Sequence, residues 1–496
     1  MLMGHLRIHP PPQPPVGLFP FLSHPQNPRD PHDCVSVVSF ANKRAGGGAF
    51  YDYTARYGAV REEDRYTLRQ SMFPETIDDL KSQTRVSLDS HSIDYKLFDY
   101  LVDKMGMAAL LDLPHIVLSN GQTRRARILK ALLDKPRLLL LDEPTTGLDV
   151  DNRAAVLAIL RELHQACDPH IILGLRIQDA IPEWITHLAV VNDGEMKVGP
   201  KDNMLAYKAQ VQESTLAFDE IEQRVSSGSS ICQPVVEMKN VCVTYGQRSI
   251  LKNVTWTIRQ GQRYHLRGTN GSGKTTLLSL LTGDHPQSYT QLGPADTRHL
   301  LLFGMPRARL ATPTLHARIG VLTPELFDAF PRRAPGMSVW EAIGTGFDGG
   351  FVPRGADGVG DGLTEAQRQW RVARVWEVLA ALGPHAWRGS GPHEEKTAGL
   401  REFGERRFLD LPVGAQRMVL LMRALVGQQQ LVLLDEVWSG MDHRMIRAAR
   451  KYLRSGGLGP EQAVIVVTHL EDEVPWSDED GVMRVVLEDG VLRGAP

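Results

Sequence analysis

Gly268-Thr269-Asn270-Gly271-Ser272-Gly273-Lys274-Thr275 fits G-x-x-x-x-G-K-[ST], and its flanks give it the context that pattern needs. The apolar stretch Val254 to Leu266 leads into it, and a helical stretch, Thr276 to Leu281, follows. In such a loop the glycines let backbone N–H groups converge on phosphate oxygens at a helix N-terminus. Lys274 brings a cation to the β- and γ-phosphates, and the Thr275 hydroxyl is a ligand for Mg²⁺. Gly268, Asn270, Gly271, Ser272, Gly273 and Thr276 complete the expected phosphate-binding set. The plain alternative is a Gly-rich turn with no ligand, and the strand, loop and helix context argues against it.

The rest of the chemistry lies downstream. Leu431 to Leu434 reads as a buried strand, and a buried strand ending in the paired carboxylates Asp435 and Glu436 makes little sense without a cation. Asp435 is expected to hold Mg²⁺, and Glu436 to orient and polarise an attacking water. Tyr245, ahead of the loop, is expected to stack on a base, although taken alone it also fits a half-buried strand aromatic. His469, after Val466-Val467-Thr468, is expected to reach the γ-phosphate.

An internal repeat organises the chain. At a constant offset of 293, Leu140-Leu141-Asp142-Glu143 maps onto Leu433-Leu434-Asp435-Glu436, and Gly147-Leu148-Asp149 onto Gly440-Met441-Asp442. Leu118-Ser119-Asn120-Gly121-Gln122 answers more loosely to Leu411-Pro412-Val413-Gly414-Ala415-Gln416. A charged helical connector from about Tyr207 to Arg224 and a Ser/Gly stretch, residues 226–230, divide the halves. The expected domains are 1–206, a linker 207–231, and 232–496. Each half alternates short apolar strands with amphipathic helices, an α/β pattern.

Composition narrows the classes. The 496 residues carry a net charge of -2, without the basic excess of a nucleic-acid binder, so no nucleic-acid partner is predicted. The four cysteines are scattered without CxxC spacing, which fits reduced thiols inside a cell rather than a metal site. No apolar run is long enough to span a bilayer, and no secretory signal is evident. The expectation is a soluble intracellular protein, cytoplasmic or mitochondrial.

Together these residues resemble ABC-type ATPases: P-loop, signature segment, Walker B Asp-Glu, turn Asp and switch His, over nearly the whole chain twice. The tandem arrangement without membrane spans is similar to fungal and bacterial transporter-like ATPases related to molybdate-transport ATP-binding proteins. The resemblance implies tandem P-loop NTPase domains, each with a RecA-like sheet core and a helical subdomain. It implies an intramolecular head-to-tail pairing in which one half's P-loop and the other half's signature segment hold each ATP. ATP and Mg²⁺ are then the expected ligands, and a membrane protein or other protein is the expected partner.

The halves differ in what they retain. The first has Ser119, Gly121 and Gln122 in its signature, but Arg176 stands where the offset from His469 expects histidine. It shows no G-x-x-x-x-G-K, and the offset would set that lysine upstream of Met1, so it reads as an N-terminally truncated domain. The second half carries Pro412 in place of the signature serine, and proline supplies neither hydroxyl nor N–H. One consensus composite site is expected, joining Lys274, Thr275, Asp435, Glu436 and His469 to Ser119 and Gly121, beside one degenerate site. Thr323-Pro324-Glu325 replaces the glutamine that the resemblance expects after the strand Ile319 to Leu322. ATP hydrolysis is the leading expectation, with an ATP-switched binding module as the alternative.

Overall fold

The computed structural model describes residues 34–39, 67–72, 95–113, 120–145, 150–165, 169–175, 179–192, 195–216, 233–245, 248–269, 271–291, 299–331, 336–388, 393–468 and 471–494. Ser119, Asp149, Arg176, Asn270 and His469 lie outside these residues. The described residues fall into two compact units, one ending at Val211 and the other starting at Gln212.

In the first unit, β1 (Val35–Ser39), β2 (Leu138–Asp142) and β3 (His170–Gly174) form a parallel sheet in that order. Helices α1 (Tyr95–Lys104), α2 (Asn120–Leu133) and α3 (Val150–Gln165) supply Phe98, Leu101, Ile128, Leu129 and Leu160 to a core shared with Leu139 and Leu141 of β2. An antiparallel ribbon of β4 (His187–Asn192) and β5 (Glu195–Pro200) leads into α4 (Lys201–Leu216). The helical connector thus begins six residues before the sequence-based start at Tyr207, and residues 217–232 lie outside the described set.

The second unit begins with a hairpin of β6 (Pro234–Tyr245) and β7 (Arg248–Arg259). The apolar stretch 254–266 is not one strand. It breaks at Gln260-Gly261-Gln262, and β8 (Arg263–Gly268) enters a different sheet. After α5 (Lys274–Leu281), β9 (Leu300–Leu302) completes the antiparallel sheet β7-β6-β9. Then come β10 (Ile319–Leu322), α6 (Pro324–Ala329), α7 (Val339–Gly344), α8 (Glu365–Leu382) and α9 (Val413–Leu425). The chain closes with β11 (Leu431–Asp435), α10 (His443–Arg454), β12 (Ala463–Val467), β13 (Val482–Glu488) and β14 (Val491–Arg493).

The main sheet runs β10-β11-β12-β8-β13-β14, parallel except for its last pair. Its central strands are continuously apolar because both faces are covered. Val432 and Leu434 of β11 enter the core shared with α7, α8 and α9, while Leu431 and Leu433 enter the core under the antiparallel sheet. Each such leucine is fully buried and contributes about 2 kcal/mol. Capping boxes at Ser338/Glu341 and Thr364/Gln367 fix the starts of α7 and α8.

The 293-residue offset holds in the backbone. It carries β2 onto β11 and β3 onto β12 residue for residue, and the starts of α2 and α3 onto those of α9 and α10. Glu143 and Glu436, which follow β2 and β11, share a left-handed conformation with φ of 49° and 46°. Burial differs: β12 is buried at every residue, whereas in β3 Ile172 is 47% exposed. Among the described residues no helix is long and apolar enough to cross a membrane.

Candidate functional site

Parallel strands deliver their carboxyl ends to one edge, and in α/β sheets that edge is where ligands bind. Here the neighbours β10, β11, β12 and β8 bring four segments there: Thr323-Pro324-Glu325, Asp435-Glu436, Thr468 and the loop from Gly268.

The loop is built around Lys274, whose Nζ donates to the main-chain oxygens of Gly268 at 2.7 Å and Thr269 at 2.9 Å. Gly273 caps α5 with φ 105°, a conformation that a side chain would strain. A Cβ on Gly268 would sit 2.4 Å from the Leu487 carbonyl oxygen, so the loop passes too close to β13 for any larger residue. The Ser272 hydroxyl is buried at 4% exposure and has no hydrogen-bond partner. An orphaned buried hydroxyl and a helix N-terminus that presents exposed Thr275 and half-buried Thr276 fit a phosphate group.

Asp435 is 9% exposed at the end of β11. Burial pushes its carboxyl well above the usual carboxylate range; Glu436 and Glu325 add to the rise, while Lys274 and Arg417 oppose it. Hard oxygen donors crowded at a desolvated strand end fit a divalent cation such as Mg²⁺. Among the described residues no group of three or more His, Cys, Asp or Glu forms a ready cage.

Tyr245 ends β6 and is 42% exposed, and its hydroxyl oxygen lies 2.7 Å from His285 Nε2. Gln287 clamps the same strand end, accepting from the Thr244 N–H at 3.2 Å and donating to the Thr244 oxygen at 2.6 Å. Thr468, which precedes His469, is buried and bonds through its hydroxyl to the Glu473 carboxylate. In the first unit Gly121 and Gln122 stand in the first turn of α2, and in the second Pro412 precedes α9 without a side-chain cap. Each signature segment therefore opens a helix.

Two side chains outside the expected set touch residues within it, His285 at Tyr245 and Arg417 at Glu436. His285 carries no local sequence signal. Arg417 donates to the Glu436 main-chain oxygen at 3.3 Å, and its signal is a counterpart, Arg124, one repeat earlier.

A parallel sheet with a lysine-bearing phosphate loop after one strand and paired carboxylates ending another defines a P-loop nucleoside triphosphatase fold. The sequence matches the ABC transporter family over residues 51–146 and 251–439, and the chain belongs to that family, as a tandem ABC ATPase without a membrane-spanning helix among the described residues. It is 29% identical over 468 residues to an uncharacterized ABC transporter ATP-binding protein of Schizosaccharomyces pombe, covering 92% of this chain and 83% of that one. Another such protein, of Saccharomyces cerevisiae, is 28% identical over 85% of this chain and 78% of its own. The ABC transporter ATP-binding protein ModF of Escherichia coli is 31% identical over 78% of this chain and 75% of its own.

Proposed function

We propose that the chain hydrolyses ATP at a single consensus composite site, built from the P-loop and carboxylates of the second half and the signature segment Ser119, Gly121 and Gln122 of the first. The observation that carries this reading is the convergence of Lys274, Asp435 and Glu436 at one edge of the sheet, with Asp435 buried there and its carboxyl raised by burial and by Glu436 and opposed by Lys274. Lys274 and the backbone N–H groups of residues 271–276 bind the phosphates, and Tyr245 offers its ring to the adenine. Glu436 orients water and takes its proton as the water oxygen bonds to the γ-phosphorus; the bond to the bridging oxygen breaks and ADP leaves. Mg²⁺ held by Thr275 and Asp435 would supply charge stabilisation of the phosphate oxygens. His469 is assigned to the γ-phosphate, and Glu325 to the place of the family's glutamine.

The second composite site is degenerate in this reading, since Pro412 offers no donor and Arg176 replaces the switch histidine. Domain limits of 1–206 and 232–496, joined by 207–231, accommodate the head-to-tail pairing. A partner protein, at a membrane or elsewhere in the cell interior, would receive the closure. The test is Mg²⁺-dependent phosphate release from the purified chain. Glu436→Gln is expected to bind ATP and lose release by about a hundredfold or more. A wild-type chain that binds ATP yet releases no more phosphate than this variant supports the ATP-switched binding module instead.

A further inference from the structure

Glu436 holds a left-handed backbone conformation, φ 46°, that non-glycine residues adopt only where their surroundings impose it. Three hydrogen bonds do so. Its N–H donates to the Val467 oxygen at 3.1 Å, and its own oxygen accepts both from the Ser439 N–H within the turn and from Arg417 Nη1 on α9, each at 3.3 Å. With both main-chain groups held, the direction of its Cα–Cβ bond, from which the carboxylate reaches out, is set by its neighbours.

Arg417 lies in α9 and is buried at 8% exposure. Its guanidinium carbon stands 4.4 Å from the centroid of the Phe327 ring on α6, the helix that carries Glu325 in its first turn. A planar guanidinium can stack on an aromatic face and donate at its edge simultaneously, which lysine cannot reproduce. One side chain therefore joins the signature helix, the carboxylate turn and the helix after β10.

The first unit repeats the arrangement one offset earlier. Arg124 Nη1 donates to the Glu143 oxygen at 3.0 Å, and the Glu143 N–H donates to the Gly174 oxygen at 2.9 Å. The residues that follow, Arg125-Ala126 in one half and Met418-Val419 in the other, differ, so the pairing is a property of the turn.

We propose that Arg417 is a positioning residue for Glu436, transmitting the placement of α9 and α6 to the water-activating carboxylate, and that Arg124 is its counterpart in the first half. The proposal rests on the reading of Glu436 as the water-activating group. In the full chain, Arg417→Met is expected to lower kcat about tenfold, with KM for MgATP and the Kd of a non-hydrolysable ATP analogue within about twofold of wild type. Arg417→Lys keeps the charge and should fall between, and Phe327→Leu should shift kcat in the same direction by about threefold. Adding Arg417→Met to Glu436→Gln should cost nothing further, because the positioned group is already gone.

Hydrogen exchange supplies a readout independent of turnover: Arg417→Met should speed exchange of the Glu436 amide about tenfold, while β11 and β12 stay protected. Wild-type kcat in Arg417→Met, or a loss shared equally by kcat and analogue binding, overturns the proposal. If the wild-type chain releases no phosphate above Glu436→Gln, the parent reading fails. Unchanged amide exchange then overturns this proposal separately. Should Arg417→Met not fold, Arg417→Lys and Phe327→Leu decide by the same measurements.

Discussion

Both ring nitrogens of His285 are committed: Nδ1 accepts the Gln287 N–H at 3.1 Å, and Nε2 lies 2.7 Å from the Tyr245 hydroxyl oxygen. An imidazole that accepts on Nδ1 is neutral, with its proton on Nε2 directed at Tyr245. Burial alone pulls its pKa down to about 4. Since the folded value lies below the ordinary 6.5, the unfolded chain takes up the proton first as pH falls. The stabilisation is therefore complete above about pH 6.5 and is lost progressively down to about pH 4, up to roughly 3 kcal/mol. Urea midpoints at pH 7.5 and 4.5 should show His285→Gln losing less stability on acidification than wild type by part of that amount; equal losses would count against a neutral His285. Tyr245 is legible in the sequence because it precedes the phosphate loop on an alternating strand. His285 is not, since it meets Tyr245 across 40 residues through folding that no local pattern announces.

Elements repeat this division between local and distant causes. Leu431 to Leu434 is legible as a buried strand because an uninterrupted apolar run ends in charge, and β11 spans that run and Asp435. Residues 336–362, rich in glycine, arginine and proline, are tied to α8 by Arg368 and Arg371, and Arg374 one turn on ties α8 to α9. Arg368 pairs with Asp357, Arg371 bonds to the Val359 oxygen and Asp348, and Arg374 reaches the Leu425 and Val426 oxygens at the end of α9. Aromatic pairs Phe347–Trp370 and Trp340–Trp376 pack along the same helix. The sequence hides this because arginine in a polar stretch looks solvated until its carbonyl partners are in place. Arg371, stacked 4.8 Å over Phe347 with its side chain 17% exposed, is the central tie. Arg371→Ala should destabilise the second unit by about 2 kcal/mol, since it leaves the Val359 oxygen and Asp348 without their donor. Limited proteolysis should then open first within residues 349–362, whereas an unchanged cleavage pattern would show that the aromatic pairs alone hold the segment.

At the scale of the whole chain the two copies of the repeat differ in the motif residues they keep. Both halves keep the strand, the left-handed glutamate and its arginine, so the internal scaffold of a carboxylate turn is present twice. The lysine-bearing loop occurs in the second half and the signature serine in the first. If the proposed composite site forms by pairing of the halves within one chain, Ser119→Ala should lower ATP turnover by about tenfold while nucleotide affinity at Lys274 stays within about threefold, because the serine meets only the γ-phosphate. Lys274→Ala should abolish both binding and turnover, and Pro412→Ser should change turnover by less than about twofold, since it restores a donor opposite a half without the lysine loop. Pairing within a chain also makes the effective concentration of the partner half independent of protein concentration. Specific activity should therefore be flat over about a hundredfold dilution, and a mixture of Ser119→Ala and Lys274→Ala chains should show no recovery. Activity that climbs with concentration, or that returns in the mixture, would mean that the site assembles between two chains.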